Sequence, residues 1–208
     1  MSKKERLSEF NHNNIISAAK ELFEEKGISQ TTMDAIAKKA DCSKSTIYVY
    51  FKSKEEILEF IVLEYFTLLK DGLEEVFNHV ERFPDSFFAI CNIVSKFYED
   101  NPAYFDSILG EVKIAEGEDS AVLFQIYGVG EEINGLIEDY LKTNIENGNI
   151  ANETASSFQT TFALWGAMCG IISLAHNKEK YILHKTNASK EEFMQNGFKF
   201  LLSSLQSK

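Results

Sequence analysis

The sequence predicts an all-α protein of about nine helices. No run of alternating apolar and polar residues suits a strand, whereas apolar residues recur at helical spacing from end to end. Only two prolines occur among the 208 residues, and both lie where helix boundaries are expected. The apolar fraction of 44% is ordinary for a globular protein, so we expect these helices to share a hydrophobic core.

The opening helix is predicted from its apolar face and from its end signal. Ile15, Ala19, Leu22 and Phe23 recur at three- and four-residue spacing, which places them on one side of a helix. Gly27 follows directly, and glycine is the residue most often found just past a helix C-terminus. The helix is therefore expected to end at this glycine.

Two short helices joined by a tight turn are predicted next. Thr31 or Thr32 is a suitable N-cap for the first of them. Asp41-Cys42 is interpreted as the turn, and Ser43 as the N-cap of a helix from Lys44 to Phe51. Two helices separated by a turn of three or four residues form a helix-turn-helix unit, whose second helix enters the DNA major groove.

Capping boxes and prolines predict the boundaries of the helices that follow. Ser53-Lys-Glu-Glu56 and Ser189-Lys-Glu-Glu192 both have the capping-box pattern, so a helix is expected to begin at each. Pro84 is expected just beyond a helix that ends near Arg82, and Pro102 in the first turn of another helix.

The remaining helices are predicted from periodicity and from one charge-free segment. Residues 122–140 keep a three-four apolar spacing, and the turn-rich Asn147-Gly148-Asn149 closes this long helix. Residues 154–177 carry no Asp, Glu, Lys or Arg and are expected to form the next helix. Its apolar part, residues 162–175, has the length of a buried core helix rather than of a membrane span. Residues 178–188 are interpreted as a connector to the last helix.

Charge is distributed unevenly along a chain whose formal net charge is −11. Residues 1–60 carry ten basic and ten acidic side chains, so the whole negative excess lies in the rest of the chain. Such asymmetry suggests that the N-terminal part meets a polyanion. The three cysteines are odd in number and widely spaced, which argues against a disulfide framework and fits a reducing cytosol. The N-terminus lacks the apolar region of a signal peptide, so a cytoplasmic location is expected.

The N-terminal segment resembles the DNA-binding domain of the tetracycline-repressor (TetR) family of transcriptional regulators. The resemblance covers about 45 residues in register. The matching residues are Phe23, Gly27, Thr31, Thr32, Ile36, Ala37, Ala40, Ser43, Thr46, Ile47, Tyr48, Tyr50, Phe51, Ser53, Lys54 and Glu55. The resemblance implies a helix-turn-helix DNA-binding domain over residues 1–54 and a helical effector-binding and dimerisation domain over residues 55–208. The chain departs from the family pattern at Asp41, where the family usually has glycine, and at Ser45, where it often has Gly, Ala or Pro.

Eight residues are predicted to contact DNA. Hydroxyl groups at helix N-termini can meet phosphates, as can the free N–H groups beside them. The resemblance implies phosphate contacts for two tyrosine hydroxyls and for the lysine at the start of the next helix. A lysine can also reach guanine O6 and N7, which makes the front of the second helix the candidate for base contacts. The predicted residues are Thr32, Ser43, Lys44, Ser45, Thr46, Tyr48, Tyr50 and Lys54. Lys38 and Lys39 are interpreted as solvated.

The second domain is predicted to bind a small molecule and to pair with a second copy. Aromatic residues are candidates for an apolar pocket lining, although each could equally fill the core. These candidates are Phe97, Tyr98, Tyr104, Phe105, Phe124, Tyr127 and Trp165. Small residues on the charge-free helix permit close helix approach, within the chain or across a dimer. The resemblance implies pairing through the last two long helices, with Ala163, Gly166, Gly170, Phe198, Leu201 and Leu205 at the interface.

No motif of an enzyme or a metal site is recognised in the sequence. His176 and His184 are interpreted as exposed histidines, and no cofactor or metal is expected. The predicted function is a ligand-responsive, homodimeric repressor that a small-molecule effector releases from a palindromic operator. Two alternatives remain open: an all-helical ligand-binding enzyme, and a protein-interaction module with no DNA role.

Overall fold

A computed structural model describes residues 2–79, 82–100, 102, 104–105, 121–151 and 157–206. Within these ranges no strand is present and nine helices are delimited, as the all-α prediction requires. The helices are α1 Lys3–Lys26, α2 Met33–Lys39, α3 Lys44–Tyr50, α4 Lys54–His79, α5 Asp85–Asp100, α6 Ala121–Glu146, α7 Phe158–Asn177, α8 Glu179–Thr186 and α9 Lys190–Leu205. Pro102, the expected first-turn residue, is helical.

The ends of the first three helices follow the sequence signals. Gly27 ends α1 with φ 81°, a conformation that side-chain-bearing residues rarely adopt, and its N–H donates to the carbonyl of Phe23. The Thr32 hydroxyl accepts from the N–H of Ala35 at 3.2 Å, which identifies Thr32 as the cap of α2. Ser43 caps α3 in the same way. The predicted end of α1 and the predicted starts of α2 and α3 are confirmed, whereas α3 ends at Tyr50, one residue before the predicted Phe51.

The core of the N-terminal helices is formed by residues that the periodicity selects. Ile15, Ile36, Ile47 and Ile57 are each at most 1% exposed. They come from α1, α2, α3 and the start of α4, so each short helix buries one isoleucine. Residues this deeply buried contribute about 1.5–3 kcal/mol each relative to an exposed side chain. Burial therefore stabilises α2 and α3, which are too short to persist alone.

The segment interpreted as a connector, residues 178–188, contains a helix instead. α8 spans Glu179–Thr186, buries only Ile182, and ends at Asn187 in the left-handed conformation with φ 56°. Its N-cap, Lys178, makes no side-chain capping bond. The prediction was wrong here because the start lacks a capping residue and one buried side chain sets no periodic pattern.

α7 and α9 pack against each other through a close approach at Gly197. A Cβ atom built at this position would lie 2.8 Å from Cγ2 of Ile171. The N–H of Ala151 donates to the carbonyl of Leu205 at 2.8 Å, which fixes the end of α9 to the segment after α6. Ser189 and Glu192 form the complete capping box that was predicted for the start of α9.

The chain divides into two compact units. One consists of Met1–Tyr65 and Ile114–Ile126, the other of Phe66–Lys113 and Tyr127–Lys208, as far as these ranges are described. The division falls inside α4 and inside α6, each of which is one continuous helix. The predicted domain boundary at residue 54 stays a prediction.

α7 is the one helix in the described parts of the chain that is long and apolar enough to cross a membrane. The core helix of a soluble protein passes the same test of length and composition. Seven of its residues, among them Leu164, Met168 and Ile172, are buried inside the chain. Phe162 and Leu174 are exposed, so α7 is buried along one side only.

Candidate nucleic-acid interface

α2 and α3 are joined by a turn of defined geometry. The N–H of Cys42 donates to the carbonyl of Ala37 at 3.0 Å, and Asp41 has φ 50°. Aspartate tolerates this left-handed conformation better than most residues, although less well than glycine. The Asn14 side chain on α1 donates to the carbonyl of Ala40 at 2.7 Å and so holds the end of α2. The predicted helix-turn-helix arrangement is therefore present with aspartate at its turn.

α3 has one buried and one solvent-facing side. Ile47 is fully buried, and Phe51 directly after the helix is 1% exposed. Ser45 and Val49 are exposed on the opposite side. A helix turns by about 100° per residue, so these two residues, four apart, form the middle of the outward face.

The Ser43 hydroxyl at the start of α3 bonds to the hydroxyls of both Ser45 and Thr46. Oγ of Ser43 lies 2.8 Å from Oγ of Ser45 and 2.7 Å from Oγ1 of Thr46. The same Ser43 oxygen accepts from the N–H of Thr46 at 3.0 Å. The structure thus brings together three of the predicted DNA-contacting residues at one end of the helix.

Lys44 forms an exposed ion pair across the turn. Its Nζ lies 2.8 Å from Oδ1 of Asp34 on α2, and both side chains are more than 60% exposed. The hydrogen bond to Asp34 raises the pKa of Lys44. Exposed ion pairs contribute little to stability because water screens them, so a phosphate or a base can displace Asp34 at little cost.

The two predicted tyrosines differ in their surroundings. Tyr48 is 49% exposed. The hydroxyl of Tyr50 accepts a hydrogen bond from Nδ2 of Asn11 on α1 at 3.2 Å, which fixes the position of its ring. Thr32, which caps α2, is exposed.

Lys54 holds the segment between α1 and α2. Its Nζ donates to the carbonyls of Ile28 at 2.8 Å, Thr31 at 3.1 Å and Ser29 at 3.3 Å. Three acceptors occupy the three N–H groups of the ammonium. A phosphate contact by Lys54 stays a prediction, and such a contact would compete with these carbonyls.

Four residues that sequence reasoning did not select contribute to this surface. They are Asn11, Asn14, Asp34 and Val49. The side-chain bonds of the first three join positions 10 to 39 residues apart, so no local pattern reveals them. The exposure of Val49 could have been predicted from the sequence, because Val49 lies two residues after the buried Ile47 on a helix with one apolar face.

The predicted effector residues fall into two groups. Tyr98 lies 4.7 Å from Phe105 and 4.3 Å from His176, measured between ring centroids, and Phe97 lies 6.3 Å from Phe105. Tyr104 and Trp165 are buried. Phe124 and Tyr127 on α6 are exposed, at 66% and 49%. The structure therefore brings Phe97, Tyr98 and Phe105 together and leaves Phe124 and Tyr127 at the surface.

His176 is more enclosed than the expected exposed histidine. Its Nε2 is buried without a hydrogen-bond partner among the described residues, and Oε1 of Glu99 lies 4.0 Å away. Burial, and secondarily the charge of Lys190, lowers the pKa of His176 below its usual 6.5, although Glu99 acts in the opposite direction. The interpretation as an exposed residue was wrong for His176, whereas His184 is exposed as expected.

We expect His176 to make the fold less stable at low pH. Since its pKa is lower in the folded chain than in the unfolded one, the unfolded state binds the extra proton first. The free energy of unfolding should be constant above about pH 6.5 and fall as the pH decreases below it. His176→Phe, which keeps a ring against Tyr98, should reduce the difference in Tm between pH 7.5 and pH 5.5. His184→Phe should leave that difference unchanged, and an equal reduction by both variants would contradict the assignment to His176.

The predicted dimer-interface residues fall into an exposed group and a buried group. Ala163 and Gly166 are exposed on α7, and nothing within 4 Å would meet a Cβ atom at Gly166 or Gly170. Phe198 and Leu205 on α9 are buried inside the chain, at 1% and 8%, while Leu201 is half-buried. The α7 residues are therefore available to a partner, whereas Phe198 and Leu205 belong to the core of the protomer.

In the described ranges, no group of three or more His, Cys, Asp or Glu side chains is placed to hold a metal ion. His176 lies on α7, and His184 lies on α8.

The buried thiols of Cys91 and Cys169 are a separate feature. Burial raises the pKa of both to about 12.

Comparison with known proteins matches the helix-turn-helix region to a described family. Residues 15–61 match the family model of bacterial regulatory proteins, tetR family. An uncharacterised HTH-type transcriptional regulator of Haemophilus influenzae is 30% identical over 94 residues, which are 45% of this chain and 50% of that protein. The aligned segment thus spans half the length of this relative.

Solved structures match over nearly the whole chain. The fatty acid degradation regulator FadR of Bacillus halodurans has a TM-score of 0.68 at 18% identity, covering 95% of this chain and 97% of its own. A TetR/AcrR-family transcriptional regulator of Thermobifida fusca has a TM-score of 0.68 at 17% identity, with coverages of 94% and 98%. At these identities the likeness concerns the fold. The helix-turn-helix region, residues 15–61, thus matches the tetR family of bacterial regulatory proteins, and the chain shares the fold of solved regulators.

Proposed function

We propose that this chain is a cytoplasmic, homodimeric repressor that binds a palindromic operator and that a small-molecule effector releases. The observation that carries the proposal is the outward face of α3, where Ser45 and Val49 are exposed above a buried Ile47. A short helix that is anchored from below and exposed along its outer side is suited to enter a major groove. The eight predicted contact residues remain our proposal for the interface.

The hydrogen bonds around α3 support a DNA-contacting surface that is ordered before DNA binds. Ser43 fixes the first turn of the helix, and the bond from Asn11 orients Tyr50 from α1. Groups held in place before binding lose less conformational entropy when DNA arrives. Phosphate contacts would fix the register of the protein, and the outward face of α3 would read the bases.

A homodimer is supported by the exposed side of α7. This helix contains no Asp, Glu, Lys or Arg, yet Phe162 and Leu174 are each 52% exposed. Phe200 on α9 is 76% exposed. The exposed apolar side of α7 thus lacks charged residues, as the centres of dimer interfaces do. A two-fold axis would place two recognition helices about 34–36 Å apart, one turn of DNA.

Effector control requires a change at the α1–α2 segment, and α4 can provide it. α4 starts at Lys54, whose ammonium bonds to three carbonyls of that segment, and continues to His79. A displacement of the α4 start would therefore move the segment that supports α2. An effector that favours such a displaced state by a few kcal/mol suffices to release DNA.

The proposal is tested by DNA binding of the purified chain. Footprinting at low salt on the DNA upstream of its own coding region should show a protected, two-fold symmetric site. Affinity should fall steeply with salt, because phosphate contacts release counterions. No protection at low salt, with turnover on a metabolite panel, would support the enzyme alternative instead, and the proposal that the chain is not an enzyme would fail.

Lys44→Ala should weaken operator binding at least ten-fold, because a good base contact is worth about 1–3 kcal/mol in each half-site. Asp34→Asn should strengthen binding, since Lys44 no longer has to leave a carboxylate that would itself face the phosphates. Fluorescence anisotropy with the footprinted operator measures both changes. Lys38→Ala, which removes an exposed lysine from α2, is the matched control and should change the affinity little. Equal losses for Lys44→Ala and Lys38→Ala would show that only net charge matters.

A further inference from the structure

We infer that Val49 reads the operator by packing against the 5-methyl group of a thymine in each half-site. The inference rests on the proposed function, since it names the chemical feature that the outward face of α3 reads. The Val49 side chain is 78% exposed, more than any other large apolar side chain in the described parts of the chain. Ile47, two residues earlier, is 0% exposed.

The position of Val49 on the helix is central to the interface. With Ile47 marking the direction of the core, Ser45 and Val49 each point within about 20° of the opposite direction. Lys44 and Tyr48 lie to one side of this line, and Thr46 and Tyr50 to the other. A partner that approaches α3 head-on therefore meets Ser45 and Val49 before it meets Lys44, Thr46, Tyr48 or Tyr50.

The stability of the fold does not explain a valine at position 49. A β-branched residue is less favourable than alanine inside a helix, because its χ1 rotamers are restricted by the preceding turn. Exposure also leaves its methyl groups in water rather than in the core. A valine there is consistent with contact to an apolar surface of a binding partner.

The chemistry of the major groove identifies that surface. Each base pair presents donors and acceptors there, and thymine adds an apolar group, the C5-methyl. Ser45, the other residue of the outward line, has its hydroxyl bonded to that of Ser43, so Val49 supplies the apolar part of this face. Val49 has no hydrogen-bonding group, and it therefore favours thymine over cytosine by contact alone.

The experiment removes only the methyl group. An operator is first selected from a random DNA library with the wild-type chain, and each thymine of one half-site is then replaced in turn by deoxyuridine. Replacing the contacted thymine in one half-site should weaken wild-type binding about four-fold, and in both half-sites about fifteen-fold, as expected for burial of one methyl group per site. Val49→Ala should bind the thymine operator more weakly than wild type and be insensitive to that same replacement.

Controls separate this inference from its alternatives. Val49→Ala replaces an exposed side chain, so its Tm should equal or exceed that of the wild type. Leu68→Ala, an exposed apolar residue outside the N-terminal unit, should keep the full sensitivity to deoxyuridine. If the selected operator binds but every deoxyuridine replacement weakens wild type and Val49→Ala equally, the inference is overturned while the proposed function stands. If the library yields no enriched DNA sequence, both fail.

Discussion

Phe51→Ala is expected to destabilise the N-terminal helices by about 3–5 kcal/mol, since it removes a buried ring and leaves a cavity. Phe51 is 1% exposed, and its ring centroid lies 4.8 Å from that of His12 and 5.5 Å from that of Phe60. It thus links α1, the end of α3 and α4. A loss of this size is a large part of the total stability of a typical domain. Urea unfolding, followed by circular dichroism, measures the change.

The same variant should also lose specific DNA binding, because α3 would no longer be held against α1 and α4. Phe10→Ala is the matched control, since it removes an identical ring that is 65% exposed on α1. Its free energy of unfolding should change by no more than about 0.5 kcal/mol. Equal destabilisation by the two variants would mean that the helix-turn-helix core is not organised around Phe51.

Gly166→Arg is expected to convert the proposed dimer into a monomer. The substitution places a guanidinium in the middle of the exposed, charge-free side of α7, where Ala163 and Gly170 leave room for a partner helix. In a dimer that charge would be buried without a counter-charge, at a cost of several kcal/mol. Light scattering should report the mass of one chain. Operator affinity should fall at least a hundred-fold, because the second half-site no longer benefits from a tethered partner.

Gly135→Arg is the matched control for this experiment. Gly135 is also an exposed helical glycine with nothing within 4 Å of a Cβ atom, but it lies on α6. Its arginine variant should keep the mass of the dimer and the operator affinity. A dimer that persists in Gly166→Arg would place the pairing surface elsewhere on the chain.

The fold was predictable where helix ends carry a local signal. Gly27, Thr32, Ser43 and Ser189 each fix a boundary through one conformation or one capping bond, and all four act as the sequence predicts. α8 was not predicted, because Lys178 makes no capping bond. Its one buried side chain, Ile182, also sets no periodic pattern in its segment.

The candidate site was predictable in composition but not in its connections. Periodicity identifies Ile47 as inward and therefore Ser45 and Val49 as outward. It cannot reveal that the ammonium of Lys54 is engaged by carbonyls more than 20 residues earlier. The same limit applies to Phe198, because an apolar stripe looks alike whether it meets its own chain or a second copy.

The close approach of α9 to α7 also bears on how this protein can change over generations. With Ile171 in place, any side chain at position 197 must overlap the isoleucine or displace it. A mutation at either position therefore alters which mutations the other will accept. A larger residue at 197 should cost less stability once a smaller one occupies 171, so the order of substitutions at this pair affects their cost.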